Sequence, residues 1–176
     1  MNDSPILETE LKEFRSYKAL VEKALAQVSD KDFFRQIDSE SNSIAVIVKH
    51  LAGNMRSRWT DFLSTDGEKP DRDRDGEFVI DSDDTRASLE ARWQAGLNLA
   101  FGALEALSDA DLGREVLIRG EPHTVLRAIC RNLAHLAYHA GQIIFLAKHL
   151  ASDRWQTLSI PRNPGRVPKG KTPRPR

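Results

Sequence analysis

Apolar residues recur every three to four positions in four long stretches of the chain, a spacing typical of amphipathic α-helices. The first stretch starts at Ser4-Pro5, where a capping residue precedes a proline in the first helical position. The four predicted helices span about 4–28, 43–63, 84–107 and 124–150. Four such helices in a chain of 176 residues predict one all-α domain, folded as a four-helix bundle.

Two connections between these helices carry patterns of their own. Residues 64–83, between the second and third helices, form a charged loop that is too long for a simple turn. Residues 114–125, before the fourth helix, place β-branched residues around Gly120 and Pro122. This pattern predicts a short β-hairpin immediately before the fourth helix.

The charged loop contains the segment 71–75, in which three aspartates alternate with two arginines. The segment resembles the first half of a calcium-binding loop, but Ser82 stands where such a loop needs a bidentate glutamate. The two arginines would also compete for the same aspartates. We therefore interpret the segment as a salt-bridged stretch of surface.

Charge is balanced over the whole chain but unevenly distributed. Residues 161–176 hold six of the 26 Lys and Arg residues, five prolines and no acid, which leaves 20 basic against 26 acidic residues elsewhere. We divide the chain into a helical domain, 1–160, and a basic, proline-rich tail, 161–176, which we interpret as a solvated end. An acidic body argues against a nucleic-acid partner.

Location and redox chemistry follow from what the sequence lacks. No apolar run approaches the roughly 20 residues of a membrane span, and the first ten residues lack the regions of a signal peptide. We therefore expect a cytoplasmic protein without a membrane partner. The single cysteine, Cys130, excludes an internal disulfide and a multi-cysteine metal cage. It lies on the apolar side of the fourth predicted helix, so we expect an inert thiol in the core.

Three histidines give the strongest indication of function. His135 and His139 lie four residues apart on the fourth helix, so their imidazoles share a face and can reach one metal ion. His50, on the second helix, would complete a three-nitrogen site with an open position, as in catalytic zinc sites. No glutamate lies between His135 and His139, so the motif is not that of the metallopeptidases.

A weak internal repeat supports the pairing of these helices. The segment ALAQVSDKDFFR (24–35) is similar to ALEALSDADLGR (103–114), and a His-Leu-Ala triplet follows each of them, at His50 and at His135. Each half of a pseudo-symmetric bundle would then contribute a histidine from its second helix. Ser-Asp pairs are common at helix ends, so chance similarity explains the match equally well.

These motifs resemble those of a known superfamily. A histidine on the second helix and an H-x-x-x-H motif on the fourth, followed by Gly141-Gln142, are the hallmark that the chain shares with the DinB/YfiT-like superfamily of metal-dependent four-helix proteins. The resemblance covers nearly all of residues 1–160. Two segments are similar to a narrower branch of uncharacterised function, GNMRSRWTDFLSTDGEKPDRDRDGEF (53–78) and WQTLSIPRNPGR (155–166). The second segment departs from the branch pattern after Ile160-Pro161-Arg162.

The resemblance implies a bundle that binds a divalent metal, often nickel or zinc, through His50, His135 and His139, frequently as a homodimer. Some relatives use low-molecular-weight thiols as cosubstrates. A small-molecule substrate and either thiol S-transferase or hydrolase-type activity are therefore implied as well.

Our leading hypothesis is a metal-dependent enzyme, in which the metal lowers the pKa of a thiol or of water. Arg56, Arg58 and Tyr138 are the candidates for positioning a substrate. Arg58 lies about 80° from His50 around the helix, which makes it the first candidate for anion recognition. Asn54, one turn after His50, is the candidate for orienting that ring. Ordinary capping or salt bridging is the alternative for Arg58 and Asn54.

Two other functions fit the same sequence. In the first, the bundle binds a metal or a ligand without catalysis, and a metallated protein that consumes no thiol-reactive electrophile would favour it. In the second, the histidines are merely packed, and the 64–83 loop and the tail contact a partner protein. Replacing the three histidines would then leave a phenotype intact, whereas deleting the loop would abolish it.

Overall fold

The computed structural model describes residues 4–160, and the helical class predicted for the chain is confirmed there. The elements are, in chain order, α1 (Pro5–Leu25), α2 (Asp30–Phe33), α3 (Ile44–Trp59), α4 (Arg86–Ala106), β1 (Glu115–Ile118), β2 (Glu121–Thr124) and α5 (Val125–Ala151). The predicted tail, 161–176, lies outside the described residues. None of the helices in the described part of the chain is both long and apolar enough to cross a membrane.

Each of the four long helices begins at a hydroxyl side chain that accepts a hydrogen bond from the backbone N–H three residues further on. These N-cap residues are Ser4, Ser43, Thr85 and Thr124. The main difference from the predicted boundaries is at the end of α3, which stops at Trp59 rather than near residue 63. Thr60 leaves the helical region with a ψ of 125°, and Asp61 has a φ of 47°. The backbone therefore turns away from the helix before its apolar pattern ends.

The four long helices enclose one hydrophobic core. α3 packs against α4 and α5, and α1 packs against α5 and α4. All four helices contribute fully buried side chains, among them Phe14, Leu51, Leu97 and Leu136. Burying a side chain of this size contributes about 1.5–3 kcal/mol. The core therefore holds α3 and α5, which carry the predicted histidines, side by side.

Three hydrogen-bonded side chains join α3 to α5 inside the protein. The indole N–H of Trp59 donates to Oδ1 of Asn132 at 2.9 Å, and Nδ2 of Asn132 donates to Oδ1 of Asn54, also at 2.9 Å. A shift of one helix along the other would leave these buried groups unpaired, which is costly. The network therefore fixes the register of α3 and α5 about one turn away from the histidines.

The predicted hairpin is confirmed, and the 64–83 loop is attached to it. β1 and β2 pair antiparallel around Arg119-Gly120, whose φ values of 57° and 74° suit a tight two-residue turn. The carboxylate of Asp66 accepts hydrogen bonds from both backbone N–H groups of this turn, at 2.8 and 2.7 Å. The N–H of Gly67 also donates to the carbonyl of Leu117 at 2.8 Å.

The interpretation of segment 71–75 as surface is wrong for Arg72. Its side chain is only 3% exposed and donates to both carboxylate oxygens of Glu77 at 2.8 Å, and to Glu68 at 3.0 Å. Glu77 lies in a single 3-10 turn, Gly76–Phe78, that packs against α3. The loop therefore contributes a buried ion pair to the helical domain.

The expectation of a buried cysteine is also wrong. Cys130 is exposed, because α5 buries the preceding residue, Ile129, and the next position lies about 100° further round the helix. Partial burial of the thiol and the charge of Glu10, whose Oε1 lies 3.7 Å from the sulfur, raise the pKa of Cys130. A raised pKa disfavours the reactive thiolate.

Asp84, just before α4, provides a test of the packing. Oδ2 of its buried carboxylate accepts hydrogen bonds from Nζ of Lys49 at 2.7 Å and from the N–H of Asp81 at 3.0 Å. Nη1 of Arg92 forms an ion pair with the other oxygen, Oδ1, at 3.1 Å. Burial raises the pKa of Asp84, but the hydrogen bonds outweigh burial and lower the pKa below its ordinary value. The charged form therefore stabilises the fold above about pH 4, and this stabilisation is lost as the pH falls through the folded-state pKa.

We expect Asp84→Asn to lower the free energy of unfolding in urea by about 1.5–3 kcal/mol at pH 7, and by less at pH 3.

Asp81→Asn is the matched control for this prediction. Asp81 pairs with the same Lys49 at 2.7 Å, but its side chain is 60% exposed. Exposed ion pairs contribute little to stability, so we expect a much smaller change. Equal losses in the two variants, or a loss for Asp84→Asn that is the same at pH 7 and pH 3, would contradict the prediction.

Candidate metal centre

The structure brings the three predicted histidines together between α3 and α5. Nε2 of His135 lies 3.1 Å from Nε2 of His50 and 3.2 Å from Nε2 of His139. One nitrogen from each ring lies within 4.8 Å of the other two. Imidazole nitrogens bound tetrahedrally to one zinc at about 2.0–2.1 Å are about 3.3 Å apart. The three histidines could therefore hold one metal ion.

Hydrogen bonds on the far side of two rings determine where their protons lie. Nδ1 of His50 lies 2.8 Å from a carboxylate oxygen of Glu77, and Nδ1 of His139 lies 2.7 Å from Oε1 of Gln142. Both partners are acceptors, so each ring carries its proton on Nδ1 and directs an unprotonated Nε2 toward the centre. Carboxylate and carbonyl partners orient histidines in metal sites in the same way.

The hydrogen bonds among the three rings cannot satisfy all of their nitrogens. A proton on Nε2 of His135 could be donated to His50 or to His139, but not well to both. Nδ1 of His135 is buried and has no hydrogen-bond partner among the described residues. A metal ion, in contrast, would bind all three Nε2 atoms at once. The donor set therefore fits a divalent metal that accepts imidazole, as zinc and nickel do.

The surroundings keep two of the rings, His135 and His139, neutral. Burial, together with the neighbouring His139 and His50, lowers the pKa of His135 to about 3. Burial also lowers the pKa of His139, although its hydrogen bond with Gln142 opposes this effect. Neutral imidazole is the form that binds a metal. His135 and His139 are therefore available as ligands at neutral pH.

Glu77 is the main residue of the site that the sequence pattern did not indicate. Burial raises the pKa of its carboxyl, but hydrogen bonds from His50 and Arg72 outweigh burial and lower it. Asn54, the predicted partner of His50, instead accepts a hydrogen bond from Asn132. Glu77 thus takes the position expected for Asn54, and Asn54 helps to hold α3 against α5.

A glycine in the middle of α3 makes room for this carboxylate. A Cβ atom at Gly53 would lie 2.1 Å from an oxygen of Glu77. Glycine inside a helix is about 1 kcal/mol less favourable than alanine. Its presence one turn after His50 is the signal in the sequence that another group approaches the helix closely.

We expect Gly53→Ala to weaken metal binding by about 10- to 100-fold, the usual effect of disturbing a partner of a metal ligand. The added methyl group would displace Glu77 from Nδ1 of His50, even though alanine favours the helix. Gly102→Ala on α4 is the control, because a Cβ there meets nothing within 4 Å. Competition with a chromophoric chelator measures both affinities. An unchanged affinity in Gly53→Ala would show that Glu77 need not occupy this position.

Gln142 connects His139 to the candidate substrate-binding residue Tyr138. Its Oε1 accepts the hydrogen bond from His139, and its Nε2 donates to the Tyr138 hydroxyl at 3.2 Å. Tyr138 is 64% exposed, and its ring packs edge-on against His139, with 4.8 Å between the centroids. Tyr138 therefore lies at the solvent side of the histidines.

Arg58, the other candidate, lines a cavity of about 160 Å³ beside the histidines. His50 and His135 line the same cavity. Four more arginines surround it, namely Arg72, Arg74, Arg119 and Arg131. A larger cavity of about 360 Å³ between α3 and α4 is lined by Glu77 but by none of the three histidines. The smaller cavity is therefore the one adjoining the candidate metal centre.

The fold and the centre define an all-α protein with three histidines that could hold a metal ion. The family described as "Protein of unknown function (DUF1572)" matches residues 3–164, and the chain belongs to this family. None of the curated proteins compared with the chain matches it. Because the family description names no activity, a function has to be argued from the site.

Proposed function

We propose that this protein is a divalent-metal-dependent enzyme of the DinB/YfiT-like superfamily, with His50, His135 and His139 as the metal ligands. The observation that carries the proposal is the convergence of three Nε2 atoms from two helices, with Glu77 and Gln142 orienting two of the rings. Three protein ligands leave a coordination position open, which is characteristic of catalytic rather than structural zinc sites.

A divalent ion held by His50, His135 and His139 would supply acidity, because it would lower the pKa of a bound thiol or water molecule. Glu77 and Gln142 keep the protons of His50 and His139 on Nδ1. Both carboxylate oxygens of Glu77 accept hydrogen bonds from Arg72, and one also accepts from His50. Glu77 is therefore a positioning residue rather than a general base.

The finer parts of the proposal rest on the resemblance of the motifs. They are a four-helix bundle over residues 1–160, nickel or zinc as the metal, a low-molecular-weight thiol as cosubstrate, a homodimer and a cytoplasmic location.

In the proposed thiol S-transfer, the thiol sulfur forms a bond to an electrophilic carbon of a small molecule. The leaving group departs with its electron pair, and the thiol proton passes to solvent. Hydrolysis, with water in place of the thiol, is the second candidate reaction, and Arg58 and Tyr138 are the candidates for binding the substrate.

Metal content and thiol transfer test this proposal together. Protein purified without a polyhistidine tag should contain about one nickel or zinc ion per chain, held by the three histidines. It should also consume monobromobimane or chlorodinitrobenzene in the presence of a low-molecular-weight thiol, and His135→Ala/His139→Ala should lose both properties.

The alternatives give different results in the same experiment. A protein that stays metallated but consumes no electrophile would be a non-catalytic metal-binding bundle. A protein that holds neither zinc nor nickel after both are added would contradict the metal site. That result would favour an interaction module in which the 64–83 loop and the tail contact a partner.

A further inference from the structure

The cavity beside the candidate metal centre is strongly basic. Five arginines line it, together with two histidines and two asparagines, and its lining includes no acidic residue of the described chain. Its volume of about 160 Å³ is below the roughly 300–1,000 Å³ of sites for drug-sized ligands. A cavity of this size and charge suits a small anionic group.

Nearby carboxylates neutralise only some of these arginines. Glu68 pairs with Arg72 at 3.0 Å and with Arg119 at 3.4 Å, and Glu77 pairs with Arg72 at 2.8 Å. Both carboxylates are shared, because Glu77 also accepts from His50. Both carboxylates are therefore already paired with groups of the loop, the hairpin turn and the candidate metal centre.

The remaining arginines carry the excess positive charge. Among residues 4–160, the carboxylate partner of Arg74 is the distant Asp75, at 4.0 Å. Arg58 and Arg131 have no carboxylate within 4.0 Å in the described part of the chain, and Arg131 Nη1 contacts Nε2 of His123 at 3.3 Å. Two arginines that face one cavity thus lack a carboxylate partner among the described residues.

Arg58 is the least satisfied of the five. The residue is only 6% exposed, and its Nη1 is buried without a hydrogen-bond partner among residues 4–160. Gly67 makes room for it, since a Cβ there would lie 2.5 Å from Nη1. Burial, with a contribution from the charge of Arg131, lowers the pKa of Arg58 to about 10, so the group is still charged at neutral pH. Buried charges in proteins are usually paired.

We propose that this cavity binds an oxyanion, a phosphate or carboxylate group of the substrate or cosubstrate, and that Arg58 and Arg131 are its main partners. The planar guanidinium donates pairs of hydrogen bonds that match the oxygens of both groups. His50 and His135 line the same cavity, so a molecule held there by its charged end would have its other end next to the metal ligands. This placement of a substrate rests on the proposed function, whereas anion binding itself does not.

Calorimetric titration with inorganic phosphate and with acetate, at constant ionic strength, tests the proposal on the full chain. At least one of the two should bind and should raise the melting temperature, in metal-free as well as zinc-loaded protein. Tighter binding of phosphate would indicate a phosphorylated ligand, and tighter binding of acetate would indicate a carboxylate.

Variants assign the binding to the cavity. We expect Arg58→Gln and Arg131→Gln each to weaken anion binding about tenfold or more and to remove most of the anion-dependent rise in melting temperature. Arg127→Gln on α5 is the control, because Arg127 is exposed, lies one turn before Arg131 and does not line the cavity. Arg131 is itself exposed, so its variant provides the test if Arg58→Gln fails to fold.

Two results would overturn the proposal. One is that neither anion binds, and the other is that anions bind and stabilise the arginine variants as strongly as the unmodified protein. Zinc titrations separate a failure of this proposal from a failure of the proposed function. Protein that binds zinc but no anion would refute the cavity alone, whereas protein that binds phosphate but no zinc would support the cavity and refute the metalloenzyme.

Discussion

Replacing His135 and His139 together with alanine should weaken metal binding by at least about a thousandfold. Zinc sites with four protein ligands bind with about 10–16 kcal/mol, or about 3 kcal/mol for each ligand, so losing two ligands removes roughly 6 kcal/mol. The variant should still fold, because the metal-free rings are not a source of stability. Their nitrogens face one another, and their own protons cannot satisfy all of them. Competition with a zinc chelator measures the affinity, and circular dichroism confirms the fold.

His149→Ala is the control for this prediction, since His149 lies on the same helix but is exposed and outside the cluster. It should bind zinc as the unmodified protein does. Retention of tight binding in the double variant would show that the ion binds elsewhere. A double variant that unfolds would instead indicate that the rings are structural.

Replacing Glu77 with alanine should affect both stability and metal binding. The change leaves the buried Arg72 with Glu68 as its remaining carboxylate partner, and breaking a buried ion pair lowers the free energy of unfolding by about 3 kcal/mol. It also removes the acceptor for Nδ1 of His50, so metal affinity should fall by about 10- to 100-fold. Urea unfolding and chelator competition measure the two effects.

Glu77→Gln separates the two roles of this side chain. Its amide oxygen can still accept from Nδ1 of His50, so metal affinity should largely return, whereas the lost charge still weakens the pairing with Arg72. Asp75→Ala, in the same loop but exposed, should change neither property. Metal affinity in Glu77→Ala equal to that of the unmodified protein would refute the orienting role of Glu77.

The helices and the hairpin were predictable because their signals are local. The three- and four-residue spacing of apolar positions found all four long helices, and Gly120 among β-branched residues indicated the turn that the structure shows. The end of α3 was missed because its apolar pattern continues to Phe62. This residue is buried in the core although it lies beyond the end of the helix. Exposure of Cys130 was missed because its position borders the buried face of α5, where small angular differences decide burial.

The site was predictable where the sequence carries a local spacing or a repeated motif. The pair His135 and His139 follows from helix geometry, and His50 could be added because its triplet recurs at His135. Glu77 follows His50 by 27 residues within a loop of alternating charges, where no periodic pattern distinguishes a buried carboxylate from a solvated one. Only Gly53, unfavourable within a helix, pointed to a close neighbour.

The basic cavity was the least predictable part of the site. Arg58 comes from α3, Arg72 and Arg74 from the loop, Arg119 from the hairpin turn and Arg131 from α5. Their proximity depends on how the loop is fastened to the hairpin through Asp66 and Gly67. Such contacts between distant segments are specified by tertiary packing rather than by residue spacing.

X-ray absorption spectroscopy at the metal edge of the zinc-loaded protein tests the three-histidine centre most directly. The centre predicts three imidazole nitrogens at about 2.0–2.1 Å, with the outer-shell scattering of imidazole rings, and a further light atom or sulfur at the open position. Fewer than two imidazoles, or a shell made of carboxylate oxygens, would contradict the assignment of His50, His135 and His139 as the ligands.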